Sequence, residues 1–192
     1  MNNTHTNPNQ TKHIGKLLTE LPDDYCVIDI ETTGLSSSNN EIIELCALRI
    51  RNNVLTDSFT TLVKPDSYIN SFISKLTGIT NQMTKSAPTI EDILIKYLEF
   101  IGNDIVIGHN VTFDIGFIND KSLKCYNKSF SNNYIDTCKM SRKICPIERH
   151  KLNCVAEYYN IDASGHHRAK QDCIMTYKIY EAMKNEILCQ NF

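Results

Sequence analysis

The stretch Tyr25-Cys26-Val27-Ile28-Asp29-Ile30-Glu31-Thr32-Thr33-Gly34-Leu35 decides how the chain is read. Its first six residues form a short apolar run rich in β-branched side chains, the pattern of a buried strand. Gly34 and the cluster Ser36–Asn40 end it in a loop. In a strand, residues i and i+2 point to the same face. Asp29 and Glu31 therefore project side by side from an otherwise apolar strand end. Burial and mutual repulsion penalise two charges there. A divalent cation between them removes the penalty, because hard cations take carboxylate oxygens. The alternative is that the strand stops at Asp29 and both acids are solvated.

Working outward, residues 42–50 (IIELCALRI) and 54–63 (VLTDSFTTLV) read as two more strands, with Asn52-Asn53 as the hairpin turn between them. The period then becomes helical. Ile90, Ile93, Leu94, Tyr97, Leu98 and Ile101 share one face, Thr89 with Asp92 forms a capping box, and Gly102 stops the helix. Residues 104–108 are a fourth strand, 112–119 a helix and 133–136 a fifth strand. The remainder is helical, ending in a long helix from about Arg168 to Leu188. Its apolar side carries Ala169, Cys173, Tyr177, Tyr180, Met183 and Ile187. This order predicts a mixed α/β sheet with helices on both faces.

The 192 residues suit one domain. Residues 1–12, with four Asn and three Thr, are expected to be a flexible tail, leaving 13–192 as the domain. Lys and Arg total 20 against 22 Asp and Glu, a formal charge of −2, which excludes nucleic acid binding through a strongly basic coat. A small metal-assisted site stays open. No run reaches the 18 or so apolar residues of a membrane span, and the N-terminus has no signal-peptide pattern. The eight cysteines contain no C-x-x-C pair. They are expected as free thiols, most of them buried, in a cytoplasmic protein.

Two further segments carry chemistry. In Gly108-His109-Asn110-Val111-Thr112-Phe113-Asp114 a strand runs out and a helix begins. Asp114 is either a helix-dipole partner or a site residue, since sites in open sheets lie beyond the carboxyl ends of strands. Asp29 sits at such an end too. In Gly165-His166-His167-Arg168-Ala169-Lys170-Gln171-Asp172, Asp172 falls in the first turn of the last helix behind a histidine pair. Those histidines are either solvated or a weak signal of a transition-metal site, and the residues alone do not separate His166 from His167. A basic cluster at Lys139, Arg142, Lys143, Arg149 and Lys151 is either a phosphate-contacting surface or a solvated face.

Taken together, Asp29-x-Glu31-Thr32-Thr33-Gly34-Leu35, Asn110-x-x-Phe113-Asp114 and His167-x-x-x-x-Asp172 resemble the three motifs of the DEDDh exonuclease family. The resemblance runs from about Tyr25 to Ala182. It includes Leu76-Thr77-Gly78-Ile79-Thr80, Ile135-Asp136-Thr137 and Lys151-Leu152-Asn153-Cys154-Val155-Ala156. That family includes the proofreading 3′–5′ exonucleases of bacterial replicative polymerases.

The resemblance implies an α/β fold of ribonuclease H-like type, a five-stranded mixed sheet with three antiparallel strands followed by two parallel ones, flanked by helices. It implies that Asp29, Glu31, Asp114 and Asp172 hold two divalent cations, Mg or Mn, and that His167 is the general base. Thr32, Thr33, Gly34 and Leu35 would lie along the terminal nucleotide, Ile79 would face its base, and Asn110 and Phe113 would hold the second motif's turn. Core packing is the alternative for Leu35, Ile79 and Phe113. The implied activity is metal-dependent 3′–5′ hydrolysis of single-stranded DNA ends, with a polymerase or replication protein as partner. An RNA-trimming or oligoribonucleotide-degrading enzyme of the same fold is the alternative. A non-catalytic nucleic acid binding module is the third reading.

Overall fold

The computed structural model describes residues 15–190, so the expected tail at 1–12 lies outside the described residues. The elements are β1 (Tyr25–Thr32), β2 (Ile42–Arg51), β3 (Val54–Leu62), α1 (Ser71–Thr77), α2 (Asn81–Thr84), α3 (Ile90–Ile101) and β4 (Val106–Gly108), then α4 (Thr112–Tyr126), β5 (Tyr134–Asp136), α5 (Thr137–Ile144), α6 (Leu152–Tyr158) and α7 (Ala169–Gln190). The five strands make one sheet in the order β3-β2-β1-β4-β5. The first three pair antiparallel, and β4 and β5 join parallel to β1. This is the mixed sheet expected from the order of elements.

Alternation along β1 sorts its side chains onto two layers. Cys26, Ile28 and Ile30 pack against Leu94, Tyr97 and Ile101 of α3 and Ile115 and Ile118 of α4. Tyr25 and Val27 face the other way, onto Ala169, Cys173 and Tyr180 of α7. Asp29 and Glu31 continue this second face, so they emerge under the start of α7. Burial on both faces explains why β1 reads as a nearly unbroken apolar run. The strand extends to Thr32, two residues past the expected apolar run, because β2 keeps pairing with it to Ile42.

The other boundaries follow local chemistry. Asn52 and Asn53 both take positive φ, 50° and 62°, as a type I′ hairpin turn needs. In α3 the Asp92 carboxylate accepts from the Thr89 hydroxyl at 2.8 Å and from the Thr89 N–H at 3.4 Å. The helix after β4 continues to Tyr126, well beyond 119, and closes on Asn127 in a left-handed conformation. The short helices α1 and α2 were not expected; Asn70 and Thr80 cap them. Residues 16–18 also add to the sheet edge, where Leu17 bridges Tyr134 in parallel. All eight cysteines are free, and Cys26, Cys46, Cys138, Cys145 and Cys173 are buried.

At the far end of the sheet, Lys184 of α7 is buried and donates to the Pro22 carbonyl at 2.9 Å and to Asn53 Oδ1 at 2.6 Å. The hairpin turn is therefore part of the anchor for α7. Asn52, whose side chain is not in that anchor, isolates the backbone requirement. Asn52→Val, which cannot adopt positive φ cheaply, is expected to cost about 1–2 kcal/mol, whereas Asn52→Gly should at least keep wild-type stability. Urea midpoints at unchanged m-value check this.

Candidate active site

Three elements converge where β1 ends. Asp29 and Glu31 come from β1 and Asp172 from the first turn of α7, and one oxygen of each lies within 4.8 Å of the others. Asp114 arrives from the first turn of α4. β4 stops pairing with β1 at Val27, which leaves the Ile30 N–H free, and Asp114 Oδ1 accepts from it at 3.1 Å. All four acids line one open cleft of about 360 Å³, together with Ile30, Leu35, His109, Asn110, Phe113 and His167.

An ion pair with a buried carboxylate sets α7 in place. Glu44 of β2 sits directly across from Glu31, and two like charges in that position repel. Arg168 resolves this. Its Nε and one Nη donate to Glu44 at 3.2 and 2.8 Å, and the Ala169 N–H adds a third bond at 3.0 Å. The first turn of α7 is thereby fixed over β2, and Asp172 reaches the strand carboxylates.

The histidines divide their contacts. His166 Nδ1 donates to Asp172 Oδ1 at 2.8 Å, and the backbone N–H of His167 donates to Asp172 Oδ2 at 3.3 Å. The two rings stack with centroids 3.8 Å apart. Of the two, the His167 ring lines the cleft. His167, His166 and Asp172 also bring donor atoms within 4.8 Å of one another.

The electrostatics are those of an uncompensated acidic site. Burial first, then Asp114, Asp172 and Glu31, raises the Asp29 carboxyl well above the usual range. Burial, with repulsion from Asp172 and Glu44, pushes Glu31 up to about 8. Asp114 is likewise raised to about 8, mainly by burial, against the pull of its backbone hydrogen bonds. Burial and the neighbouring His166 lower the His167 imidazole. An all-oxygen set of acids this close, with Arg168 already engaged by Glu44, fits a hard divalent cation. Asp29, Glu31 and Asp172 would hold it directly, with Asp114 alongside.

The expected substrate-contact residues fall in different places. Leu35 is 88% exposed at the mouth of the cleft, and Phe113 lines it while packing on Phe117. Asn110 takes φ 62° in the turn before α4 and donates its N–H to Asp136 Oδ1 at 3.0 Å. Thr32 donates to the Gly34 carbonyl at 2.6 Å, and Thr33 Oγ1 accepts from the Glu41 N–H at 2.9 Å, so both hydroxyls brace the loop. Gly34 lets that loop close, since a Cβ there would meet Asn40 at 2.7 Å. Ile79 does not reach the cleft. It is fully buried with Ile43, Ile69 and Ile73.

Three residues of the site escaped the sequence reading. Glu44 had a signal, a lone acid inside the apolar run 42–50. His109 lies in the quoted segment 108–114 and Asp136 in the Ile135-Asp136-Thr137 stretch of the resemblance, but neither carries an assigned role there. His109 is a cleft residue whose Nε2 donates to the His150 carbonyl at 2.8 Å, while Nδ1 bonds the Thr137 hydroxyl at 3.0 Å. Asp136 Oδ1 gathers the N–H groups of Asn110, Cys138 and Lys139 and so ties the second motif's turn to α5.

A family model described as Exonuclease matches residues 26–180. The chain is 40% identical over 164 residues to the DNA polymerase III subunit epsilon of Aquifex aeolicus, covering 85% of this chain and 81% of that protein. It is also 40% identical over 174 residues to the PolC-type DNA polymerase III of Caldanaerobacter subterraneus subsp. tengcongensis, covering 90% of this chain but only 12% of that protein. The chain thus spans about an eighth of the PolC-type relatives' length. Among solved structures, the nuclease domain of 3′hExo, described as a DEDDh family member bound to rAMP, superposes with a TM-score of 0.72 at 21% identity, covering 85% of this chain and 92% of that one.

The raised carboxyls predict how the metal-free protein responds to pH. Glu31 holds its proton more tightly folded than unfolded, so the stability this gives is present below about pH 4.5 and is lost as pH rises toward 8. Asp29 and Asp114 act in the same direction. Thermal melts of chelated protein should therefore fall from pH 5 to pH 8, and Mg²⁺ or Mn²⁺ should restore the midpoint at pH 8. Asp29→Asn should raise the metal-free midpoint at pH 8 and remove the cation response. A flat pH profile in chelator would contradict this electrostatic reading.

Proposed function

The chain belongs to the exonuclease family, and from that premise we propose that it is a metal-dependent 3′–5′ exonuclease acting on single-stranded DNA ends. The observation that carries the reading is the convergence of Asp29, Glu31, Asp114 and Asp172 on one open cleft with the His167 ring at its wall. Cations held by these carboxylates supply water activation and stabilisation of the departing 3′-oxygen.

The chain's own residues do the rest. Asp29, Glu31, Asp114 and Asp172 orient the terminal phosphate by gathering its counter-charges at the strand end. His167 takes the proton of the attacking water; its lowered affinity for protons keeps the imidazole neutral and ready at neutral pH. The new bond forms between the water oxygen and phosphorus. The bond from phosphorus to the 3′-oxygen breaks, and that oxygen leaves with a proton from solvent. The product is a nucleoside 5′-monophosphate and a strand one residue shorter. Exposed Leu35 and half-buried Phe113, both lining the cleft, would bracket the terminal base, and Thr32, Thr33, Gly34 and Asn110 would shape the wall along the nucleotide.

DNA as substrate, and proofreading beside a polymerase, draw on the two DNA polymerase III relatives. RNA trimming draws on the rAMP-bound neighbour, whose likeness is one of fold. Retention of all four acids and the histidine argues against a purely binding role.

Digestion of matched 5′-labelled single-stranded DNA, RNA and mismatched-end duplex tests the reading. A ladder shortening from the 3′ end, dependent on Mg²⁺ or Mn²⁺ and faster on DNA, is expected. Cutting of a circular single strand, or full activity after exhaustive chelation, would overturn it.

The histidines give a sharper test. His167→Ala should lower kcat roughly 10²–10⁴-fold, with a much smaller effect on substrate affinity. His166→Ala should be milder, since it removes only a support of Asp172. The reverse order of effects would assign proton transfer to His166.

A further inference from the structure

We propose that Arg149 and Lys151 form a phosphate-binding ledge for the part of the strand that lies outside the cleft. The proposal rests on the nuclease reading above and extends it to the path of the substrate.

The argument starts with how the segment after α5 is held. His150 is turned inward. Its Nδ1 bonds Ser141 Oγ at 3.0 Å, and its carbonyl accepts from His109 Nε2 at 2.8 Å and from the Cys138 thiol at 3.3 Å. A carbonyl only accepts, so His109 Nε2 carries the proton. His109 itself lines the cleft beside Asp29 and Asp114. One histidine therefore joins the cleft wall to the 145–151 segment.

The two basic residues stand on either side of that anchor. Arg149 and Lys151 are both exposed, and neither enters an ion pair among the described residues. Arg49, Arg51, Arg168 and Lys184, by contrast, are each paired with a carboxylate. Unpaired cations on a backbone pinned to the rim of an acidic cleft have a clear use. The cleft attracts cations and repels a bare polyanion, so an approaching strand gains by neutralising its trailing phosphates elsewhere. Single-stranded nucleic acid binders combine such basic grooves with apolar contacts to the bases, and exposed Leu35 supplies one at the cleft mouth.

His109 is then a positioning residue. It acts on the strand through His150 by keeping the ledge in register with the cleft.

The test measures binding apart from cleavage. A labelled twelve-nucleotide deoxythymidine strand is titrated in Ca²⁺ with the full chain, its Arg149→Gln/Lys151→Gln double variant, and a control double variant, Lys96→Gln/Lys128→Gln. The control removes the same charge from exposed positions on α3 and beyond the end of α4. The Arg149→Gln/Lys151→Gln variant is expected to bind about tenfold more weakly at low salt. The slope of log affinity against log salt should shrink by about 1.4, or 0.7 per lost contact to a single strand. Hydrolysis of the p-nitrophenyl ester of thymidine 5′-monophosphate, which is too short to reach the ledge, should match wild type. An unchanged salt slope, an equal change in the control, or an equal loss on the short ester would each overturn the ledge. Absence of cleavage by the wild-type chain would sink the nuclease reading but leave the binding comparison to decide this one.

Discussion

The arrangement of the site depends on one ion pair, the buried carboxylate of Glu44 with the partly exposed guanidinium of Arg168. Glu44 is almost fully buried on the central part of the sheet, and its carboxylate takes two guanidinium bonds and one backbone N–H from the start of α7. Removing Arg168 would leave the buried Glu44 carboxylate with the Ala169 N–H as its remaining partner here. The pair holds the first turn of α7 against β2 at the level where β1 ends. From there the helix runs down the sheet over Val27, Cys46 and Leu48, and Lys184 and Tyr180 fasten its other half to the Pro22 carbonyl. The helix is thus fixed at both ends by polar contacts and along its middle by apolar ones.

That fixation is what makes the acidic convergence tolerable. Asp29, Glu31 and Asp172 repel one another; the alternation of β1 sets the first two side by side, but nothing local brings Asp172 to them. The sheet, α4 and α7 impose the approach because each is anchored elsewhere: α4 by the apolar layer with Ile115 and Ile118, α7 by Glu44. Repulsion is concentrated in one open cleft, where counter-ions and substrate phosphates can act on it. Stability is accumulated in the two apolar layers behind.

Much of this was legible in the chain. The alternation of β1 placed Asp29 and Glu31 on one face, and the helical period of 90–101 with its Thr89–Asp92 cap matches the extent of α3, Ile90–Ile101. The order of three strands followed by alternating helix and strand predicts a mixed sheet, and the motif resemblance implies its ribonuclease H-like pairing. Other features needed the third dimension. Glu44 acquires meaning only when the register sets it against Glu31 and Arg168 lands on it. His109 is a lone polar residue after a strand until α5 and the His150 segment fold back onto it. Ile79 follows a left-handed Gly78 that ends α1, and that turn sends its side chain under the sheet's edge. Short helices such as α2, only four residues long, carry too little periodicity to be read.

His167 sits at φ 71°, in the region that suits glycine, two residues after Gly165 at φ 77°. A non-glycine residue there costs about 1 kcal/mol, and the one bond from 167 into Asp172 is a backbone N–H that glycine would keep. The fold would be more comfortable with glycine at 167, and the imidazole is retained at a thermodynamic loss. Laboratory evolution that rewards heat resistance alone would therefore drift toward glycine at this position and discard the imidazole proposed as general base. Any thermostabilising campaign on this scaffold has to select for turnover at every round.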